Sequence, residues 1–232
     1  MTIAVMQPYV FPYLGYYQLI KAVERFVIYD DVAFIKQGWI NRNNLLVAQQ
    51  KHLFSIPVSG GSSHRRICEI AVADEPRWAT KLLRTIAQAY GHAPQFPSVY
   101  GLIESVLADA RSIATLATRS LTAVWSFLDL STEFVVASQR YDNQHLAGSQ
   151  RVIDICRREG ARRYVNAIGG RSLYYATDFA EHGIELRFLS SRLPEYPQFG
   201  GPFVPGLSMI DVLMFNAPGQ VRAMLDQYEL LQ

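Results

Sequence analysis

The chain has 232 residues, 50% of them apolar and 18% charged, the balance of a globular protein with a sizeable core. A formal charge of +2 is too small for the basic footprint of a nucleic-acid binder, and no basic stripe interleaved with aromatics accompanies it. No apolar run reaches the length of a membrane span, and the first residues lack the pattern of a secretory signal, so cytoplasmic residence is the default expectation.

At the amino end, Thr2 to Met6 reads as a strand. A proline-bracketed aromatic loop follows (7–13), then an amphipathic helix pattern, then a second apolar run from Phe26 to Tyr29 that ends in Asp30 and Asp31. Strand, loop, helix and strand over about residues 2–30 is the grammar of a parallel βαβ unit. In such sheets ligands sit in the loops beyond the carboxyl ends of the strands. Those loops carry Gln7, Tyr9, Tyr13, Asp30 and Asp31, with Asn41, Arg42 and Asn43 a few residues on.

Residues 44–58 hold two β-prone runs around the polar QQKH, which predicts a hairpin. The glycine- and serine-rich segment 59–66 reads as a flap or a long turn, and the alternation over 67–73 as a strand. Apolar residues then recur at helical spacing through three stripes, broken at 92–97 by two prolines; this predicts a helical insertion over about 76–130, a lid or subdomain. The α/β rhythm returns with a strand at 134–137 and a helix at 149–160, capped by Ser149 and stopped by Gly160. A strand at 163–168, a short helix within 172–183 capped by Thr177, and a strand at 184–189 follow. A helix at 208–216 is broken by Pro218 and Gly219, and a final helix runs to the end.

This order predicts a single α/β domain over 1–232, with a mainly parallel sheet flanked by helices and shared by both ends of the chain. The preferred topology is nucleotidyltransferase-like or Rossmann-like, on element order and on Gly15 at the start of the first helix. The histidine pair that nucleotidyltransferases carry in that loop is absent, and Tyr13 and Tyr16 stand there instead.

Several groups can carry chemistry. Asp30 and Asp31 leave a strand in succession, so they point to opposite sides and one can face a pocket. A carboxylate there can orient an amine, hold a metal or act as a base; a strand-end turn is the structural alternative. Arg42 offers a planar fork for a phosphate or carboxylate, with Asn41 and Asn43 as donors beside it. Asn166 ends a strand, and Gly169 and Gly170 permit close backbone approach to a ligand, with Tyr174, Tyr196 and Gln198 as further lining. His64 is the histidine best placed for acid/base work, because its loop is glycine-rich. Ser208 reads as an N-cap with Asp211 completing a capping box. Cys68 and Cys156 read as packed small hydrophobes, and the cluster of Arg157, Arg158, Arg162 and Arg163 as a helix carboxyl-terminal turn. No zinc-ligand spacing is present, and nothing in the sequence names a cofactor.

The opening stretch MQPYVFPYLGYYQLIKAVERFVIYDDVAFIKQGWINRN, together with YVNAIGGRSLY (164–174), GIELRFL (183–189), Tyr196, Gln198 and FVPGLSMIDVLMFN (203–216), resembles the WbqC-like family, found among bacterial surface-polysaccharide genes. The resemblance covers most of the chain and is weakest over about 77–145. It favours a ligand role for Arg42. It also implies an enzyme of surface-polysaccharide or O-antigen precursor synthesis. The expected reaction is acyl or aminoacyl transfer from an activated thioester, such as a carrier protein's, onto an amine such as that of an amino-sugar nucleotide. Asp30 or Asp31 would orient or deprotonate the amine, and Asn41, Asn166 and backbone groups would stabilise the oxyanion. Two alternatives stand beside it. One is nucleotidyl transfer, with residues 7–15 near the nucleotide and Asp30 near magnesium. The other is a non-catalytic binder in a biosynthetic complex, docking through Tyr9, Phe11, Tyr13, Tyr16 and Tyr17.

Overall fold

A computed structural model describes residues 1–75 and 77–232; Pro76, where the expected insertion begins, lies outside the described residues. In chain order the elements are β1 (Thr2–Met6), α1 (Leu14–Lys21), β2 (Arg25–Ile28), β3 (Arg42–Val47), β4 (Gln50–Ser55), β5 (Val58–Ser59) and β6 (Ala71–Val72). The helices α2 (Trp78–Tyr90), α3 (Phe96–Leu107) and α4 (Ile113–Phe127) follow. Then come β7 (Glu133–Val136), α5 (Ala137–Arg140), α6 (Gly148–Arg158), β8 (Arg163–Ala167), α7 (Ala176–Ala180) and β9 (Glu185–Ser191). The chain closes with α8 (Met209–Phe215), α9 (Pro218–Leu225) and β10 (Tyr228–Leu231).

Six strands form one sheet in the order β10-β9-β8-β1-β2-β7. All its neighbours pair in parallel except β10, which runs antiparallel to β9. The strands carry near-continuous apolar runs because helices cover both faces. Ala4, Phe26, Ile28, Val165 and Leu189 pack into one core with α1, α4, α8 and α9. Ile3, Val5, Val27, Tyr164, Leu186 and Phe188 point the other way, into a core closed by Val152, Ile155 and Cys156 of α6 and Phe179 of α7. Burying a side chain as fully as Phe26, at 0% exposure, is worth about 1.5–3 kcal/mol. Helices α2, α3 and α4 contribute to the first of these cores, so the helical stretch shares one apolar interior with the sheet. Among the described residues no helix is long and apolar enough to cross a membrane.

The sheet order reverses between β1 and β8. These strands are in register only at Thr2 with Arg163 and Ile3 with Tyr164, whereas β8 and β9 pair at five positions. Beyond Ile3 and Tyr164 the two central strands therefore part, and a crevice opens at the switch in strand order, the usual ligand position in such sheets.

Local details depart from the sequence expectations. The hairpin turns at Ala48 and Gln49, both at positive φ (48° and 63°) as primed two-residue turns require, so QKH belongs to β4. Residues 67–73 form a 3-10 turn at Ile67–Glu69 and the two-residue strand β6; the first apolar position packs under α4 in place of alternating across a sheet. The α6 cap is Ala147 and the α7 cap is Tyr175, each two residues before the expected Ser149 and Thr177. Ser208 does cap α8, its Oγ accepting from Ile210 N at 3.2 Å, but Asp211 turns into the core. Pro218 opens α9 at a position where its missing N–H costs nothing. The expected terminal helix ends at Leu225, and the last residues pair with β9 as β10.

Candidate functional site

Two clefts lie side by side at the carboxyl ends of the central strands, and both are lined by Tyr29 and Tyr174. The first, about 450 Å³, occupies the gap between β1 and β8. Its walls include Gln7, Tyr9, Tyr13, Gly15 and Tyr16 on one side and Asn166, Gly169 and Gly170 on the other. The loop after β1 is held rigidly. Phe11 takes a left-handed backbone (φ 43°), a strained conformation for a bulky residue. Its N–H donates to Ser120 Oγ at 3.0 Å, and its carbonyl accepts from Asn43 Nδ2 at 2.6 Å and Ser208 Oγ at 2.7 Å. Tyr16 Oη donates to the Gln7 carbonyl at 2.7 Å, and its ring lies 5.5 Å from that of Tyr9. Across the gap, Asn166 Oδ1 accepts from Ala167 N at 2.8 Å. A Cβ on Gly170 would stand 2.6 Å from Asn166 Nδ2, so only glycine lets the backbone approach that amide so closely.

The second cleft, about 390 Å³, lies beyond β2, between the segment 63–66 and the amino end of α6. Asp31 is 2% exposed, and its Oδ2 accepts from Arg151 Nη2 at 2.5 Å and from Gln144 Nε2 at 3.0 Å. Oδ1 of the same carboxylate is buried with no partner among the described residues. Arg151, itself 4% exposed, also donates to Asn143 Oδ1 at 2.9 Å and stacks 4.8 Å over the Tyr29 ring. Burial pushes the Tyr29 phenol up to about 12, against the opposing pull of Arg151. His64, Arg65 and Arg66 form the outer wall. The turn that carries them is pinned to the chain leaving β2: Phe34 N donates to Arg65 O, Ile67 N to Val32 O and Cys68 N to Asp30 O, at 2.8–2.9 Å.

The two acids leaving β2 thus separate. Asp31 lines the second cleft. Asp30, 3% exposed, turns to the start of α5, accepting from Ser138 N at 2.9 Å and Ser138 Oγ at 2.6 Å. Burial raises its pKa, and the two Ser138 hydrogen bonds oppose the rise.

Other candidates stand elsewhere. Asn41 Nδ2 donates to Ile56 O at 2.8 Å. Arg42 Nε donates to Gly38 O at 2.9 Å, its Nη2 to Gln37 O, and its guanidinium lies 5.9 Å from the Trp39 ring centre, so the expected anion fork ties down a loop. Tyr196 Oη and Gln198 Nε2 donate to Asp211 Oδ2 at 2.6 and 2.7 Å, in the core. None of these four lines either cleft. Phe11, Tyr16 and Tyr17 are at most 4% exposed, which removes them from the expected docking face. The sequence reading missed Arg151, Gln144 and Tyr29. A signal for Arg151 existed: it falls one turn before Ile155 on the buried stripe of α6, where a charge demands a partner.

The WbqC-like protein family model matches residues 7–223, a span that contains the whole lining of the second cleft and all of the first except Val5 and Met6. The chain belongs to the WbqC-like family. This family member is 28% identical over 219 residues to the Uncharacterized protein Rv1507c of Mycobacterium tuberculosis, an alignment covering 92% of this chain and 93% of that protein. No solved structure matches the chain.

Proposed function

We propose that this WbqC-like protein is a transferase of surface-polysaccharide precursor synthesis. It moves an acyl or aminoacyl group from an activated thioester to the amine of a small acceptor such as an amino-sugar nucleotide. The observation that carries the reading is the pair of clefts of unlike character meeting at Tyr29 and Tyr174. The aromatic cleft at the sheet's switch point suits the donor's acyl arm, with Asn166 and the backbone of Gly169 and Gly170 placed to hold a developing oxyanion. The polar cleft suits the acceptor. There the unpartnered Asp31 Oδ1 receives an N–H of the attacking amine and orients its lone pair toward the first cleft.

In the transfer the amine nitrogen bonds to the thioester carbonyl carbon and the C–S bond breaks. The thiolate leaves, and the proton shed by nitrogen passes to His64 at the cleft wall and from there to the thiolate or to water. No nucleophile on the protein is required. The test is incubation of the purified protein with an amino-sugar nucleotide and an acyl-pantetheine thioester, followed by mass spectrometry of the nucleotide sugar and assay of released thiol. Amide formation that falls at least tenfold in Asp31→Asn supports the reading; thiol release with no amide, or an unchanged rate in Asp31→Asn, sinks it.

The strand order, reversing beside the start of α1, favours one second reading: nucleotidyl transfer in the first cleft. Pyrophosphate released from a nucleoside triphosphate, with a nucleotide adduct, would select it over acyl transfer.

A further inference from the structure

We infer that the cleft beyond β2 holds a built subsite for a phosphate ester, one whose neighbouring hydroxyl or ammonium group donates to Asp31. Two independent features point at the same space. The first is the amino end of α6, an eleven-residue helix whose first turn faces the cleft. Its first intrahelical bond is Arg151 N to Ala147 O, so the N–H groups of Gly148, Ser149 and Gln150 have no acceptor within the helix. Gly148 takes φ 53°, and a Cβ there would meet nothing within 4 Å, so the turn opens onto free space. Aligned peptide dipoles make such an end attractive to anions.

The second feature is the unpartnered oxygen of Asp31, buried in the wall of the same cleft. A buried carboxylate oxygen without a donor is costly, and a ligand hydroxyl or ammonium removes the cost. The charges sort accordingly. Arg151 is committed to Asp31 and Asn143, which makes that pair neutral overall. Arg66 has no hydrogen-bond or ion-pair partner for its guanidinium among the described residues, and with Arg65 it leaves the opposite wall positive. Both arginines sit on backbone already fixed against the chain after β2, so the cationic wall is in place before a ligand arrives. A donor-bearing ligand with an anionic neighbour satisfies the acid and the helix end together.

This deepens the transferase reading by naming what the acceptor carries, and it rests on that reading only for its place in the reaction. The test is calorimetric titration of the full chain with inorganic pyrophosphate, glucosamine 1-phosphate and uridine diphosphate, in low and in moderate salt. Glucosamine 1-phosphate is expected to bind more tightly than pyrophosphate, and all three more weakly as salt rises. Arg66→Glu should weaken all three about tenfold with an unchanged melting temperature, because its side chain is exposed. Asp31→Asn should weaken glucosamine 1-phosphate by about tenfold without weakening pyrophosphate, because it removes the acceptor and leaves the Arg151 charge in the wall. Uridine diphosphate binding above the sugar phosphate would make a nucleotide the source of the phosphate; the reverse order would make it a sugar phosphate. Absence of binding at millimolar concentration, or affinities indifferent to Arg66→Glu, overturns the subsite. Binding without any acyl transfer sinks the reaction proposed above and leaves the subsite standing.

Discussion

Replacing Arg151 by Met should destabilise the protein by about 3 kcal/mol, with a large electrostatic coupling to Asp31. The magnitude follows from burial. The two side chains are 4% and 0% exposed and meet at 2.5 Å. Methionine fills much of the volume of the arginine stem but leaves a buried carboxylate with Gln144 as its remaining side-chain donor. Breaking one partner out of a buried pair costs about 3–5 kcal/mol, and the stacking on Tyr29 adds about 0.5–2 kcal/mol. Gln144 still donates to the stranded acid, which holds the sum near the lower end. Against a total stability of about 5–15 kcal/mol this is a large fraction. Asp31→Asn should cost less, because the amide oxygen still accepts from Arg151 and the guanidinium keeps Asn143 and Tyr29. The double variant should then be more stable than Arg151→Met alone, since no charge is left unpaired. Urea unfolding of the four proteins at pH 7, followed by far-ultraviolet circular dichroism, closes the cycle. A loss under about 1 kcal/mol in Arg151→Met, with no coupling, would refute the buried pair. It would also take away the geometric basis for the unpartnered oxygen.

Three further outcomes are expected. Tyr90→Phe should destabilise more than Tyr196→Phe, by about 1–3 kcal/mol: Tyr90 Oη donates to Asp211 at 2.8 Å and also accepts from the buried Leu46 N at 2.7 Å, whereas Tyr196 serves Asp211 alone; equal losses in urea melts would count against this. The Glu159 carboxyl sits below the usual range: burial pushes it up, but Tyr141 Oη at 2.5 Å, Arg140 and Arg25 pull it down further. A depressed folded-state pKa means the stabilisation is complete above the ordinary glutamate value and disappears as pH falls through the folded one, so the stability gap between wild type and Glu159→Gln should be widest near neutrality and close in acid, as stability curves at several pH values would reveal. Gly170→Ala should displace the Asn166 amide from the first cleft and lower turnover with little change in melting temperature, because residues 168–173 are not part of either core; normal kinetics in a folded variant would remove Asn166 from the chemistry.

Much of the fold was written locally. The apolar runs of β1, β2 and β8, the helical stripes of α2, α3 and α4, the Gly160 stop (φ 65°) and the Ser208 cap each depend on residues close in sequence, and each forms where its pattern placed it. The position of Asp30 and Asp31 at a strand's carboxyl end was equally legible, because it needs only the end of an apolar run. What each acid faces was not. Ser138 and Arg151, more than a hundred residues away, decide that Asp30 is a structural tie and Asp31 a cleft wall. Arg42 shows the converse. Its planar fork fits a ligand anion and a loop carbonyl alike, and only the folded path of residues 37–38 gives it the latter. The carboxyl-terminal YELL has too few residues for its own periodicity to separate helix from strand, and the open edge of β9 settles it. The clefts themselves exist because β1 and β8 part after two register pairs. Such features are contacts between distant segments, whose closure depends on the whole chain's packing, whereas strand and helix patterns repeat within a few residues and can be read before anything is folded.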